Sequence, residues 1–318
     1  MNKVLFGISI VIIFLIIFTS YETFQNSDPV PSVAFPFKNL FDDQGNKLNI
    51  ILIAAPFREQ NHEELYNDYK NKGLLFCGIS SYLDFPNPIN NPFEDKFHKD
   101  RGHRYIDMVD AWLHCFQKPE YIEPFRNIPH MLLTEADLKD IKNTELKQVQ
   151  KEYDFIYVCL KDNDTCEPGW QSYNRNWDLA KDCLEIMCEK FGLRGVLVGR
   201  ENCKFSDKCN GIVKTYDFLP YNEFQDLMQK CRFLFVPNIA DASPRVITEA
   251  LCYNMPVLVN RNILGGWHNV VPSVTGEFFT SKDDVVTAIQ KLQTTNYTPR
   301  KWYIENRGRE KSGKELSN

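Results

Sequence analysis

FLFVPNIADASPRVITEALCYNMPVLV, residues 233–259, contains the order of elements on which the fold turns. Residues 233–237 form a continuous apolar run of strand length, the pattern of a strand buried on both faces, and residues 256–260 repeat it. Between them, residues 245–253 have helical spacing. The helix is entered through Ser243-Pro244-Arg245, where Ser is a favoured N-cap and Pro a favoured first helical residue. Strand, short polar loop, helix, strand is the repeat unit of a parallel sheet with right-handed crossovers.

The same stretch carries a candidate site. The backbone N–H groups of Arg245 and Val246 open the helix without intrahelical partners, at the carboxyl end of a strand, where ligands of open α/β sheets sit. Such an end suits an anion, through those donors and the positive end of the helix dipole. Asp241 lies just before the helix, and Glu249 lies four residues beyond Arg245 on nearly the same face. Carboxylates beside an anion site suit hydroxyl groups, so Glu249 fits a ribose diol and Asp241 the hydroxyls of a sugar. A solvated Glu249 paired with Arg245 is the other reading of these residues.

Working outward, the second half keeps the alternation. Residues 153–160 (YDFIYVCL) read as a strand, and Trp177, Ala180, Leu184, Met187, Cys188 and Phe191 as one helix face ending at Gly192. Strands come next at 195–199 and 211–215, then a helix through Phe224, Leu227, Met228 and Cys231, and a last helix at 285–292. In the first half, residues 48–55 (LNIILIAA) and 74–79 read as strands around a helix face of His62, Leu65, Tyr66 and Tyr69, which Gly73 stops. Pro86, Pro88 and Pro92 interrupt any regular element between residues 80 and 100. Short elements resume at 105–116 and 129–133, and a charged helix is expected over 135–152. The expected division is a domain at 48–150, a second at 151–295 and a helical tail at 296–318.

Residues 4–18 (VLFGISIVIIFLIIF), extended by Thr19-Ser20-Tyr21, give about 18 uncharged residues, close to what a bilayer needs. Lys3 precedes them and Glu22 and Asp28 come after, which leaves the N-terminus cytosolic. The flank TSYETF lacks the small-residue site of a cleaved signal, so residues 1–21 read as a signal anchor and 22–47 as a stem. The expected topology is single-pass type II, with the body on the lumenal side of an endomembrane. Sequons at Asn163-Asp164-Thr165 and Asn296-Tyr297-Thr298 have meaning in that setting.

The net charge of −5, with no basic stripe, argues against nucleic acid as a partner. Of the ten cysteines, Cys159, Cys231 and Cys252 lie in apolar runs and read as small buried side chains. Cys203 and Cys209 bracket the polar loop KFSDK and could close a short disulfide in an oxidising lumen. The spacing gives no metal site.

The segment 233–259 resembles the donor-site signature of group 1 (family four) retaining glycosyltransferases, in which two acidic residues separated by seven others precede a Pro-Val strand. Asp241, Glu249 and Pro256-Val257 have that arrangement. Leu219-Pro220 before a helix, Gly265-Gly266-Trp267 and Thr275-Gly276-Glu277-Phe278 extend the resemblance over residues 213–280, and more loosely over 150–295. The resemblance implies a GT-B fold, two Rossmann-like domains with parallel sheets facing a cleft. It further implies transfer of a sugar from a nucleotide diphosphate sugar to a glycan, lipid or protein-linked hydroxyl, with retention and without cofactor or metal. Ser243, Pro244, Arg245 and Val246 would then hold phosphate, Glu249 the ribose and Asp241 the transferred sugar. Family members place an Arg and a Lys after the first strand of this domain, a role open here to Lys161 and Arg175. They also often place an active-site His where His114 closes the run MVDAWLHCF, although a lone His on an apolar face also reads as a core residue. The sequence departs from the family at Asp241 (commonly Glu), at Ser243-Pro244-Arg245 (commonly Gly-Phe-Gly) and at Pro56-Phe57-Arg58, where a Gly-rich donor loop is usual.

These residues leave two rival readings. The short first half without a Gly-rich loop suits a non-catalytic nucleotide-sugar or glycan-binding protein on the same fold. A dinucleotide oxidoreductase ranks last, because no GxGxxG succeeds any strand.

Overall fold

The structure, a computed structural model, describes residues 30–317 except 43, 82–84, 87–102, 123–124, 126 and 205. The expected anchor, and the stem as far as residue 29, lie outside the described residues. Among the described residues no helix is long and apolar enough to cross a membrane.

The chain builds two separate sheets. The first has five strands in sequence order: β1 (Phe37–Phe41), β2 (Lys47–Ile53), β3 (Leu75–Ile79), β4 (Ala111–His114) and β5 (His130–Leu132). Strands β2 to β5 are parallel, whereas β1 runs antiparallel to β2 along the edge. The stretch carrying β1 was expected to be stem. The alternation of Phe37 toward the core and Lys38 away from it is too short and too close to Pro36 to stand out in the sequence. Helix α1 (Gln60–Asn71) buries His62, Tyr66 and Tyr69 against this sheet, and Gly73 ends it with a positive φ of 79°. One face of the sheet packs Ile51, Ile53, Phe76 and Trp112. The other packs Leu52, Ile79 and Leu113, with Leu316 from the far end of the chain.

The second sheet has six parallel strands: β6 (Tyr153–Val158), β7 (Gly195–Val198), β8 (Val213–Tyr216), β9 (Cys231–Val236), β10 (Val257–Asn260) and β11 (Gly276–Phe279). Their order is β11-β10-β9-β6-β7-β8, so the chain builds outward from β6 to β8, returns to β9 beside β6, and continues the other way. Helices α2 (Trp170–Asn174), α3 (Trp177–Glu189), α4 (Tyr221–Gln229) and α5 (Arg245–Cys252) connect these strands, and α6 (Val285–Thr294) comes after the last of them. Both faces are covered. Leu184, Met187, Phe235 and Ile289 share one core, and Met228, Leu234, Leu251 and Tyr303 the other. Near-continuous apolar strands are what two buried faces require.

Two further expectations are corrected. Residues 135–152 form no α-helix but two single turns, Glu135–Leu138 and Ile141–Asn143, and then a non-helical stretch. The carboxylates of Asp137 and Asp140 accept the nearby backbone N–H groups of Thr134 and Lys142, and such local bonds compete with helix. The disulfides join Cys166 to Cys203 and Cys188 to Cys209, not Cys203 to Cys209. Cys209 lies in a turn facing the end of α3, which directs it away from Cys203.

The tail consists of two helices, α7 (Pro299–Asn306) and α8 (Arg309–Ser317), broken at Gly308, whose φ is 86°. Gly308 N–H and the Ser312 hydroxyl both donate to the carbonyl of Asp137, at 3.1 and 2.8 Å.

Candidate functional site

In an open α/β sheet the loops on either side of a strand-order reversal splay apart and leave a crevice. The second sheet reverses between β6 and β9. A cavity of about 450 Å³ lies there, lined by Val158 at the end of β6, Leu234–Val236 of β9, the loop to α5 and the first turn of α5. Its opposite wall comes from the first half: Ala54 after β2, Ser81 after β3, Lys38 on β1, Glu135 and the exposed ring of Phe35. The cavity is therefore a cleft between the two sheets.

Asp241 and Arg175 meet in this cleft. The Asp241 Oδ2 accepts from Arg175 Nη1 at 2.8 Å and from Asn238 Nδ2 at 3.2 Å, while Oδ1 accepts the Ser243 N–H at 3.3 Å. Arg175 comes directly after α2 and is half-buried, and its Nη1 also donates to Asn174 Oδ1 at 2.8 Å. Pro244, Arg245 and Val246 line the cleft beside them. Helix α5 begins at Arg245 with Pro244 as N-cap, so Pro244 is not the first helical residue and the Ser243 hydroxyl caps nothing of its own helix. That hydroxyl instead accepts the N–H of Ala136 at 3.1 Å, across the cleft. The reason is a partner distant in sequence: the turn at Glu135–Leu138 brings the Ala136 N–H within reach of the hydroxyl. By helix geometry the N–H groups of Arg245 and Val246 have no intrahelical acceptor.

Glu249 stands apart from this cavity and is not paired with Arg245. Its Oε1 accepts the Tyr221 hydroxyl at 2.9 Å and lies 3.7 Å from Lys139 Nζ, which also donates to Tyr221 Oη at 2.8 Å. Lys161 is exposed and paired with Asp164 at 3.0 Å, outside the cleft lining. His114, at the end of β4, is buried in a ring stack with Phe116, Phe125 and His130, and its Nδ1 accepts the Phe116 N–H at 3.2 Å. Burial, then the neighbouring His130 and His268, lowers its pKa to about 4. The ring does not line the cleft and is neutral at neutral pH.

The facing wall escaped sequence reading. Lys38 Nζ lies 2.6 Å from Glu135 Oε1, and the Ser81 hydroxyl donates to the same oxygen at 3.1 Å. Lys38 belongs to a stretch read as stem and Glu135 to a segment read as a charged helix, so neither carried a signal. Asn238 did: an Asn directly after the buried strand FLFVP is a polar side chain aimed at the carboxyl edge.

The two halves are fastened beside the cleft. Asp137, fully buried, accepts from Thr134 Oγ1, His268 Nε2 and Asn269 Nδ2 at 2.9, 2.9 and 2.8 Å. Burial alone would raise its pKa, but the bonds from His268, Asn269 and Thr134 outweigh it and hold the carboxyl at about 2. Trp267 Nε1 donates to the Cys115 carbonyl at 2.8 Å, and Ala242 and Leu264 pack into the core of the first half. Gly265 fits where a Cβ would strike the Ala242 carbonyl and Cys115.

Comparison of the fold with solved structures places it in a known class. The lipopolysaccharide outer core galactosyltransferase WaaB matches with a TM-score of 0.56 at 17% identity, over 84% of this chain and 74% of that one. TarM matches with a TM-score of 0.59 at 12% identity, over 84% and 54%. Sucrose-phosphate synthase from Thermosynechococcus elongatus matches at 0.55 and 11%, over 84% and 72%. The chain has the two-sheet α/β fold of GT-B glycosyltransferases, and it spans little more than half the length of TarM. No protein-family model matches the chain, and no curated protein matches it in sequence.

Proposed function

We propose that this protein is a glycosyltransferase that moves a sugar from a nucleotide diphosphate sugar to a hydroxyl of a glycan, lipid or protein-linked acceptor. One observation carries the reading: the Arg175–Asp241 pair, at 2.8 Å, sits beside the opening turn of α5 at the strand-order reversal. Arg175, Arg245 and the N–H groups of Arg245 and Val246 are suited to the two phosphates, where charge develops as the sugar leaves. Asp241 is suited to the hydroxyls of the transferred sugar. Glu249, with Tyr221 beside it, is suited to the ribose once Lys139 yields. Retention of anomeric configuration is supported by the family-like spacing of Asp241 and Glu249. The fold neighbours named above support sugar transfer in general.

The test is a thermal-shift series with UDP, GDP and ADP and their sugars, and then hydrolysis assays with and without acceptor. A ligand at 100 times its Kd should stabilise by about 2.7 kcal/mol. If no nucleotide raises the midpoint and no sugar nucleotide is consumed, the reading fails. Binding without turnover would instead favour a nucleotide-sugar-binding protein, which the sequence Ala54-Ala55-Pro56, lacking glycine after β2, also suits.

We further propose that residues 4–21 tether the body to an endomembrane with the body in the lumen. The two disulfides support this, since such bonds persist in oxidising compartments. Protease digestion of the body in sealed microsomes without detergent would refute it.

A further inference from the structure

Behind the cleft lies a buried ion pair that the proposed reaction does not use. Arg200 is joined to β7 through Gly199, whose φ of 96° and close approach to Leu160 admit no side chain. The Arg200 side chain is 1% exposed. Its Nη2 donates to Asp162 Oδ2 at 2.9 Å and to the Leu160 carbonyl at 2.8 Å, and its Nη1 donates to Ser172 Oγ at 2.9 Å. Its guanidinium also lies 4.8 Å from the ring centre of Trp177. Asp162 in turn accepts the N–H groups of Gln171 and Ser172 at 2.6 and 3.0 Å, and the Ser172 hydroxyl at 2.5 Å. Those N–H groups belong to the first turn of α2, and Trp177 opens α3. Arg200 and Asp162 thus grip residues 170–177 at both ends, and Arg175 lies between. Two further ties hold the middle: Tyr157 Oη donates to the Arg175 carbonyl at 3.0 Å, and Ile239 N–H to the Asn174 carbonyl at 3.0 Å. The Cys166–Cys203 disulfide joins the same two loops.

We propose that Arg200 and Asp162 are positioning residues which hold segment 170–177 so that Arg175 reaches Asp241 and the cleft. This rests on the reading of Arg175 as a diphosphate-binding cation. A buried charge pair whose Nη groups and carboxylate are all hydrogen-bonded, with Arg200 Nε alone unpaired, fixes geometry more than it adds stability. Here the geometry it fixes is that of a cation whose misplacement by an ångström would cost binding.

The experiment is a pair of double-mutant cycles, Ser172→Ala with Arg175→Ala and Arg200→Met with Arg175→Ala, reading affinity for UDP, GDP and ADP. Each single variant should weaken the nucleotide that binds best by roughly ten- to a hundredfold, as displaced site groups do. Each double variant should bind no more weakly than Arg175→Ala alone, because displacing an absent cation costs nothing. Unchanged affinity in Ser172→Ala and Arg200→Met, or losses that multiply in the doubles, would overturn the proposal. Ser172→Ala keeps the test open if Arg200→Met does not fold. Should Arg175→Ala itself leave affinity unchanged, the assignment of the donor site fails. Amide exchange over residues 170–177 in nucleotide-free Ser172→Ala then decides the positioning claim. Exchange at least tenfold faster than wild type, as expected when an ordering contact is lost, supports it, and a wild-type rate overturns it.

Discussion

His268 Nε2 and Asp137 Oδ1, 131 residues apart in sequence, meet at 2.9 Å inside the seam between the two sheets. The carbonyl of the same Asp137 accepts from Gly308 and Ser312, so one residue of the first half holds two separate segments of the second.

That contact has a pH signature. The Asp137 carboxyl is held at about 2 against an ordinary 3.8. A carboxyl depressed by folding adds stability that is fully present above 3.8 and is lost as the pH falls toward 2. The amount is on the order of 2 kcal/mol. Urea unfolding should therefore show Asp137→Asn clearly less stable than wild type at pH 6, with the gap narrowing at pH 2.5. A gap of constant size would mean that Asp137 is not depressed in the folded protein.

His114 should behave as a core residue. With its pKa lowered to about 4, its ring protons should show no titration by NMR between pH 8 and pH 5. Its linkage has the same sense as that of Asp137: stability is fully present above 6.5 and declines as the pH falls toward 4. An inflection near pH 6.5 would put the ring in water and reopen a role in the cleft.

The two carboxylates of the donor site should separate in kinetics. Glu249→Ala should weaken nucleotide and sugar nucleotide alike, by roughly 1.5–3 kcal/mol, the worth of a hydrogen bond to a charged group. Asp241→Ala should slow turnover by about a hundredfold, yet leave nucleotide diphosphate affinity undiminished, because its partner is the transferred sugar. Calorimetric titration alongside steady-state rates reads both. Wild-type affinity and turnover in a folded Glu249→Ala would remove that residue from the site.

Ser243→Ala tests whether the hydroxyl serves its own helix or the facing turn. The substitution should cost about 1–2 kcal/mol of stability by leaving the Ala136 N–H without its acceptor. Amide exchange should quicken at Ala136 and stay unchanged through the first turn of α5. Faster exchange at Arg245–Ile247 would restore the hydroxyl as an N-cap.

The parts of the fold that the sequence made legible are those governed by local pattern. Strands β6, β9 and β10 stand out because both of their faces are buried, and α3 because Trp177, Ala180, Leu184 and Met187 repeat at 3.6 residues. Asp241 and the start of α5 were found together for the same reason, since strand, loop and helix fix them in succession, whereas Arg175, 66 residues earlier, entered only through the family resemblance and beside Lys161. The features that escaped depend on partners distant in sequence. Strand β1 is short, on an edge, and defined by pairing with β2. The segment 135–152 has helical composition, but Asp137 is claimed by His268 and the Lys147 N–H by Gln229 Oε1 at 2.8 Å. The rotation of Ser243 away from its own helix depends on Ala136, 107 residues earlier.

The return of α8 to the carbonyl of Asp137 makes the molecule a body hung from two straps instead of one. The chain passes between the halves once through residues 134–152 and again through 303–312. A single linker would allow the halves to swing in any direction, whereas two crossings, with Ala242 and Leu264 packed into the core of the first half, restrict that motion. Glu135, on the wall of the cleft that faces Arg175, belongs to the first of those straps, so the cleft lies at the joint itself.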